Sequence, residues 1–206
     1  FTYKDGTLPV VLDGGNGICF AGGVVAGIEN RLGSWQLYHG DAGKDLNFGG
    51  ILLDGPQNSI VDGVRIDNVA DGFRVQGDSQ NFTLKNVWMS DIHDDCVDDH
   101  WAYSGTVEDS LFDGCYVGVS TRVAGRRNGN NDHLVIRDSL FRLKPYPSPH
   151  SSESRDPGHG AMFKWDSSGS PKLSVHNTVF MAEIDTDSGD GLALPSASRS
   201  VIESCS

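Results

Sequence analysis

The sequence has few basic residues, few cysteines and no long apolar segment. Its 206 residues carry 16 Lys and Arg against 28 Asp and Glu, which gives a formal net charge of −12. Nucleic-acid binding needs a basic surface, so we expect no nucleic-acid partner. No apolar run is long enough to cross a bilayer, so we expect no membrane partner either.

The sequence also lacks the 3.6-residue apolar periodicity of amphipathic helices and shows no signal peptide. It contains instead 26 glycines, a content that suits many tight turns. Its length allows a sizeable core, and we expect one domain over residues 1–206. The start at Phe1 and the end at Ser206, within a repeat, lead us to expect part of a longer chain.

A short apolar motif recurs along the chain. Each copy has an apolar residue, a variable residue, a Gly, Asn or Asp, and a second apolar residue further on. The copies begin at Val61, Leu84, Val107, Ile136 and Val175. The first two intervals are both 23 residues, and the later ones are longer. The longer intervals predict inserted loops near 123–133 and 144–160, and weaker copies occur at 20–25 and 201–204.

A second series of short, strand-like segments follows the first series in step. Its members are GILLDG (50–55), DGFRVQ (71–76), DDCVDD (94–99), YVGVST (116–121), GAMFKW (160–165) and DGLALP (190–195). Strands this short cannot bury an apolar face alone and must stack on the next repeat.

The two series predict an all-β fold, a right-handed parallel β-helix of about seven coils. The first residues of the motif would form one interior stack, and Phe112, Phe141 and Phe180 would form another. The alternative is an antiparallel sandwich of short strands. A sandwich does not explain why each residue type recurs in register at a fixed interval.

The four cysteines allow few pairings in this fold. Cys19 and Cys205 lie in the first and last coils, about six strand spacings of roughly 4.8 Å apart, which is too far for a disulfide. Cys96 and Cys115 lie in adjacent coils, where a disulfide and two buried thiols are equally compatible. We therefore expect no disulfide framework.

The segment DIHDDCVDDH at 91–100 concentrates five aspartates and two histidines. Packed like charges cost free energy, so the segment indicates a metal site, a pair of catalytic acids or a solvated turn. Strand alternation places Asp94 and Asp95 at the entering turn and Asp98 and Asp99 at the outer end. It also leaves Met162 outside. On this basis one face would present Arg74, Asp98, Asp99, Arg122 and Lys164.

The repeats over residues 18–206 resemble the pectin-lyase-like β-helix superfamily of polysaccharide lyases, polygalacturonases and tailspike depolymerases. NVADGF (68–73) followed by DDCV (94–97) is similar to the polygalacturonase pattern. That resemblance implies that Asp71, Asp94 and Asp95 are catalytic carboxylates of an inverting hydrolase. The family's Gly-His-Gly on the next coil is absent, because Tyr116 stands there and the GHG of this chain is at 158–160.

A lyase mechanism is the competing interpretation. A lyase of uronate chains needs a cation to neutralise the uronate carboxylate and a base to take the C5 proton. Ca²⁺ on Asp95, Asp98 and Asp99 would supply the cation, and Lys164 or Arg122 would act as base or neutraliser. The substrate-binding candidates are side chains in the surrounding segments: Arg74, Arg126, Arg127, His159 and Trp101.

The sequence therefore predicts a secreted or cell-surface enzyme that cleaves a polysaccharide, expected to contain uronate. We rank a lyase reaction, with Ca²⁺ as its cofactor, ahead of hydrolysis by paired aspartates. A non-catalytic glycan-binding or structural β-helix is the alternative from another class. The oligomeric state is not predicted.

Overall fold

A computed structural model describes residues 9–27, 31, 49–121, 127–146, 158–166, 168–183, 193–196 and 200–203. These residues form strands and turns and contain no helix, so none of them provides a helix that could span a membrane. The strands are β1 (Val10–Asp13), β2 (Cys19–Ala21), β3 (Val24–Ala26), β4 (Gly49–Asp54), β5 (Ile60–Asp62), β6 (Arg65–Val69), β7 (Asp71–Gln76), β8 (Phe82–Lys85), β9 (Trp88–Asp99), β10 (Gly105–Glu108), β11 (Leu111–Thr121), β12 (His133–Arg137), β13 (Leu140–Leu143), β14 (Phe163–Trp165), β15 (Lys172–His176), β16 (Val179–Ala182) and β17 (Ser200–Glu203).

The strands form two sheets in which every pair of named strands is parallel. A seven-stranded sheet has the order β17-β15-β12-β10-β8-β5-β2. A ten-stranded sheet follows the path β1-β4-β7-β9-β11-β13-β16, with β3, β6 and β14 attached beside it. Parallel pairing between strands that are not consecutive in sequence is compatible with the predicted parallel β-helix.

The first series of repeats forms the seven-stranded sheet in the predicted register. Val61 pairs with Leu84, Leu84 with Val107, Val107 with Ile136, and Ile136 with Val175. All five side chains are buried in one core cluster. The in-register interior stack is therefore confirmed.

The predicted aromatic stack is also present. Phe112 pairs with Phe141, and Phe141 pairs with Phe180. The ring centroids lie 4.0 Å and 5.6 Å apart, and the first two rings are nearly parallel. Contacts between aromatic rings add to the free energy gained by burying the rings.

The Gly, Asn or Asp of each repeat has a conformational reason. The residue that follows each of β5, β8, β10, β12 and β15 in the seven-stranded sheet adopts a positive φ, which side chains other than Gly, Asn and Asp rarely tolerate. The φ values lie between 41° and 65° for Gly63, Asn86, Asp109, Asp138 and Asn177. The Gly, Asn or Asp of the motif therefore marks the turn that leads from the seven-stranded sheet to the ten-stranded sheet.

The second series forms most of the ten-stranded sheet. In it β4 pairs with β7, β7 with β9, β9 with β11, and β11 with β14. The last predicted segment, 190–195, lies partly outside the described residues, and its described part is not a strand. The long strands β9 and β11 each pair with two shorter strands, β9 with β6 and β7, and β11 with β13 and β14. The register between β9 and β11 shifts between these two parts, at a place that we call the bend.

Two expectations were wrong at this bend. Met162 is buried in the core, because it lies against Gly118, where a Cβ would come within 2.4 Å of the Met162 sulfur. Cys96 and Cys115 form a disulfide with a Cα separation of 5.6 Å, because the bend brings both side chains into the interior. Residues 96 and 97 are both buried, so strict alternation does not hold at the bend.

We expect Leu84→Ala to lower the free energy of unfolding by about 2–5 kcal/mol, because it opens a cavity in the interior stack. Leu111→Ala removes the same atoms from a side chain that is 37% exposed and should cost about 1 kcal/mol or less. Urea unfolding of both variants measures the difference. Equal costs for the two would contradict the assignment of Leu84 to the interior.

Candidate active site

The acidic segment lies on β9, where that strand contains one residue more than its neighbour β11. Ile92 pairs with Cys115 and Asp95 pairs with Val117, so three steps on β9 face two steps on β11. This irregularity is a β-bulge, which re-aims side chains next to it. The two consecutive carboxylates of Asp94 and Asp95 consequently reach the same partner, the ammonium group of Lys164.

Three buried carboxyl groups meet at this place. Asp71, Asp94 and Asp95 each have one oxygen within 4.8 Å of an oxygen of both others. The Lys164 Nζ lies 2.8 Å from Asp95 Oδ1 and 3.2 Å from Asp94 Oδ1. The Asp95 backbone N–H donates to Asp71 Oδ1 over 3.2 Å. We refer to Asp71, Asp94, Asp95 and Lys164 as the carboxylate cluster.

Burial and like charge keep protons on this cluster. Burial and the neighbouring Asp94 raise the pKa of Asp95 to about 8, against the opposing effect of Lys164. Burial, then Asp94, Asp98 and Asp95, raise the pKa of Asp71 well above its usual range. With a pKa of about 8, Asp95 retains its proton at neutral pH, as a general acid does, and the same causes favour the protonated form of Asp71.

The ammonium of Lys164 stays charged. Its burial would lower its pKa, but the carboxylates of Asp95 and Asp94 outweigh this effect and raise the pKa. A lysine in this state supplies positive charge and does not accept a proton at neutral pH.

A second pair of charges borders the cluster on the same face. Arg74 Nη1 lies 3.6 Å from Asp71 Oδ2, and Arg74 Nε lies 3.4 Å from Asp98 Oδ2. His100 Nδ1 approaches the same oxygen of Asp98 at 3.5 Å. Arg74 and Asp98 are therefore adjacent to the cluster, as the sequence predicted.

Asp99 does not share this face with Asp98. It pairs in register with the interior residue Val75, and its Oδ1 accepts a hydrogen bond from the Tyr103 backbone N–H over 2.9 Å. Burial raises the pKa of Asp99 well above its usual range. Asp95, Asp98 and Asp99, the proposed Ca²⁺ ligands, are thus not gathered at one point. Among the described residues, the three carboxyl groups spaced closely enough for one cation are Asp71, Asp94 and Asp95.

The remaining predicted site residues lie in varied surroundings. Arg127 pairs with Asp132 at 2.8 Å and lies over the Tyr103 ring. Trp101 is partly buried against the core. The buried His159 has its ring nitrogens 2.8 Å and 3.1 Å from backbone carbonyl oxygens. Arg122 and Arg126 lie outside the described residues.

The resemblance to polygalacturonases predicts Asp71 to be a catalytic carboxylate. The structure brings it into the carboxylate cluster. The available signal was the spacing of NVADGF and DDCV, which places Asp71 next to Asp95 across paired strands. Charge alone did not reveal this neighbour, because the two residues are 24 positions apart.

Comparison with known proteins gives no further assignment. No protein-family model, no curated protein and no solved structure matches the chain.

We expect Asp99→Asn to stabilise the fold at pH 8 and to have less effect near pH 4. The carboxyl group of Asp99 has a folded-state pKa above its ordinary value of 3.8, so its contribution to stability falls as the pH rises above about 4. Asparagine keeps the acceptor for the Tyr103 N–H and carries no charge. Thermal melts at both pH values measure the gain, at about 2–4 °C per kcal/mol.

Asp62→Asn is the matched control, because the pKa of Asp62 is shifted in the opposite direction to that of Asp99. A hydrogen bond from Asn86 lowers the pKa of Asp62, so the ionised group contributes to stability above its ordinary pKa. Its amide variant should gain nothing at pH 8. A stability gain from Asp99→Asn that is the same at pH 4 and pH 8 would contradict the buried position of this carboxyl group.

Proposed function

We propose that the protein is a glycoside hydrolase that cleaves a polysaccharide with the carboxylate cluster. The supporting observation is the meeting of three buried carboxyl groups with one ammonium group, two of the three with a raised pKa. Glycosidic bonds are hydrolysed by a carboxylic acid that protonates the leaving oxygen and a carboxylate that assists the attack. Such a pair requires carboxyl groups whose surroundings favour different protonation states.

In the proposed reaction Asp95 is the general acid. Its proton passes to the glycosidic oxygen as the bond between that oxygen and the anomeric carbon breaks. Asp94 accepts a proton from a water molecule whose oxygen forms the new bond to the anomeric carbon. Proton return from Asp94 through solvent restores Asp95 for the next turnover. By resemblance to polygalacturonases the expected outcome is inversion, although the Asp94 and Asp95 oxygens lie within 4.8 Å of each other, closer than the roughly 6.5–9.5 Å usual in inverting enzymes.

Lys164 and Asp71 support this division of roles. Lys164 contacts both Asp94 and Asp95, and its charge favours the ionised form of the base. Asp71 accepts a hydrogen bond from the Asp95 backbone N–H and so helps to hold Asp95 in place. Arg74, with 13% of its side chain exposed beside Asp71, is a candidate for binding sugar hydroxyl groups.

The lyase interpretation receives less support from this arrangement. A lyase needs a base that is neutral at working pH, whereas Lys164 has a raised pKa. The ammonium group also occupies the position between Asp94 and Asp95 that a Ca²⁺ ion would take. Arg122, the other candidate base, lies outside the described residues. A lyase, its Ca²⁺ and a uronate substrate remain predictions, and hydrolysis is the reaction that we propose.

The finer features of the fold belong to the same proposal. From the repeats and the parallel sheets we infer that the fold is a right-handed parallel β-helix of about seven coils. We also infer that the protein is a member of the pectin-lyase-like superfamily. The buried disulfide is typical of proteins that fold in an oxidising compartment, which supports a secreted or cell-surface location.

We expect Asp95→Asn to lower kcat by about 100- to 10,000-fold, because the amide cannot act as a general acid. In the unaltered protein kcat should fall as the pH rises above about 8, where Asp95 loses its proton. Release of reducing ends from a panel of neutral and uronate polysaccharides measures both effects. Asp113→Asn, at a carboxylate paired with Arg142 outside the cluster, is the control and should retain activity.

The same assay separates the competing functions. Products that absorb in the ultraviolet and require Ca²⁺, as judged by loss of activity with a chelator, would show elimination and overturn hydrolysis. A protein that binds glycans without cleaving any of the panel would be a binding module, and Asp95→Asn would then alter binding at most.

A further inference from the structure

The disulfide between Cys96 and Cys115 lies directly behind the carboxylate cluster. Cys96 is the residue after Asp95, and both sulfur atoms are fully buried in the interior. The bond joins the long strands β9 and β11 across 19 residues of sequence. The proposed reaction does not involve either cysteine.

The disulfide crosses the β-bulge diagonally. Cys115 pairs with Ile92, which precedes the additional residue of β9, whereas Cys96 follows it. The bond therefore links Cys96, which lies beyond the bulge on β9, to Cys115 on β11, whose pairing partner on β9 lies before the bulge. A one-residue shift of the pairing register would turn side chains to the opposite face of the sheet, and the bond opposes such a shift.

Electrostatic repulsion among the carboxyl groups acts on the two strands at the bulge. As the pH rises through the pKa of Asp95, about 8, the ionised Asp95 is repelled by Asp94, and the ammonium of Lys164 offsets only part of this repulsion. The backbone around them is tightly packed, since a Cβ on Gly72 would come within 2.7 Å of the Cys96 carbonyl oxygen. A buried covalent bond at Cys96 opposes the separation of the strands that the repulsion favours.

We propose that the Cys96–Cys115 disulfide positions Asp94 and Asp95 against Lys164 and so maintains the general acid of the site. Cys96 and Cys115 are positioning residues, because they act through the two aspartates and not on the substrate. The inference rests on the proposed function for its effect on catalysis. Its effect on the protonation of Asp95 does not depend on that function.

A disulfide also stabilises a fold by restricting the unfolded chain, so the test needs a property that stability alone does not change. Two double variants, Cys96→Ala with Cys115→Ala and Cys96→Val with Cys115→Val, remove the bond with different side-chain volumes. Leu84→Ala is the control, because it destabilises the core away from the bend. Circular dichroism establishes that each variant is folded.

In the double variants we expect kcat to fall about 10- to 100-fold, as for small displacements of catalytic groups. The loss of activity at high pH should also move to a lower pH, because water reaches Asp95 and its pKa decreases. Carbon-13 NMR of the Asp95 carboxyl group, assigned with Asp95→Asn, measures this change without substrate. The Leu84→Ala control should keep both the high-pH limb and the Asp95 titration near pH 8.

Double variants that fold and keep the kcat and the Asp95 titration of the unaltered protein would overturn the proposal. Failure of both double variants to fold would overturn it as well, because the bond would then serve the whole fold and not the site. If the unaltered protein cleaves no glycan, the proposed function fails. The NMR titration would still decide whether the disulfide positions Asp95.

Discussion

The site depends on the burial of three carboxyl groups around the ammonium group of Lys164. An isolated buried carboxylate costs several kcal/mol, so such groups persist only with protons or cations nearby. Here a raised pKa favours the protonated forms of Asp71 and Asp95, and the ammonium group of Lys164 lies against both Asp94 and Asp95. The unfavourable contact of like charges thereby produces what acid–base chemistry needs, a proton held at neutral pH beside a charged group.

The scaffold can hold these buried charged groups together because apolar stacks fix its strands in register. The interior columns of the seven-stranded sheet and the stacked phenylalanine rings hold neighbouring strands in place. Residues far apart in sequence, such as Asp71, Asp95 and Lys164, then become neighbours on one face. Rigid strands hold catalytic groups more accurately than loops do, which lowers the cost of orienting them during the reaction.

Much of this fold is predictable from the sequence, because the repeat carries its own register. Apolar residues 23 positions apart predicted the interior stack, and the Gly, Asn or Asp of the motif marked turns with positive φ. The bend of the ten-stranded sheet was not predictable in the same way. Alternation of inward and outward residues fails there, so Met162 and the disulfide were misassigned and Asp99 was paired wrongly with Asp98. The bulge that joins Asp94 and Asp95 to one ammonium depends on tertiary packing, which a periodic pattern does not contain.

A crystal structure of Asp95→Asn with a bound oligosaccharide tests most directly whether the carboxylate cluster is the site of glycoside cleavage. We predict that a glycosidic oxygen lies within about 2.6–3.2 Å of the residue-95 amide, with Lys164 and Asp94 beside the same sugar. A substrate chain that binds the folded variant elsewhere, with no sugar at the carboxylate cluster, would contradict it.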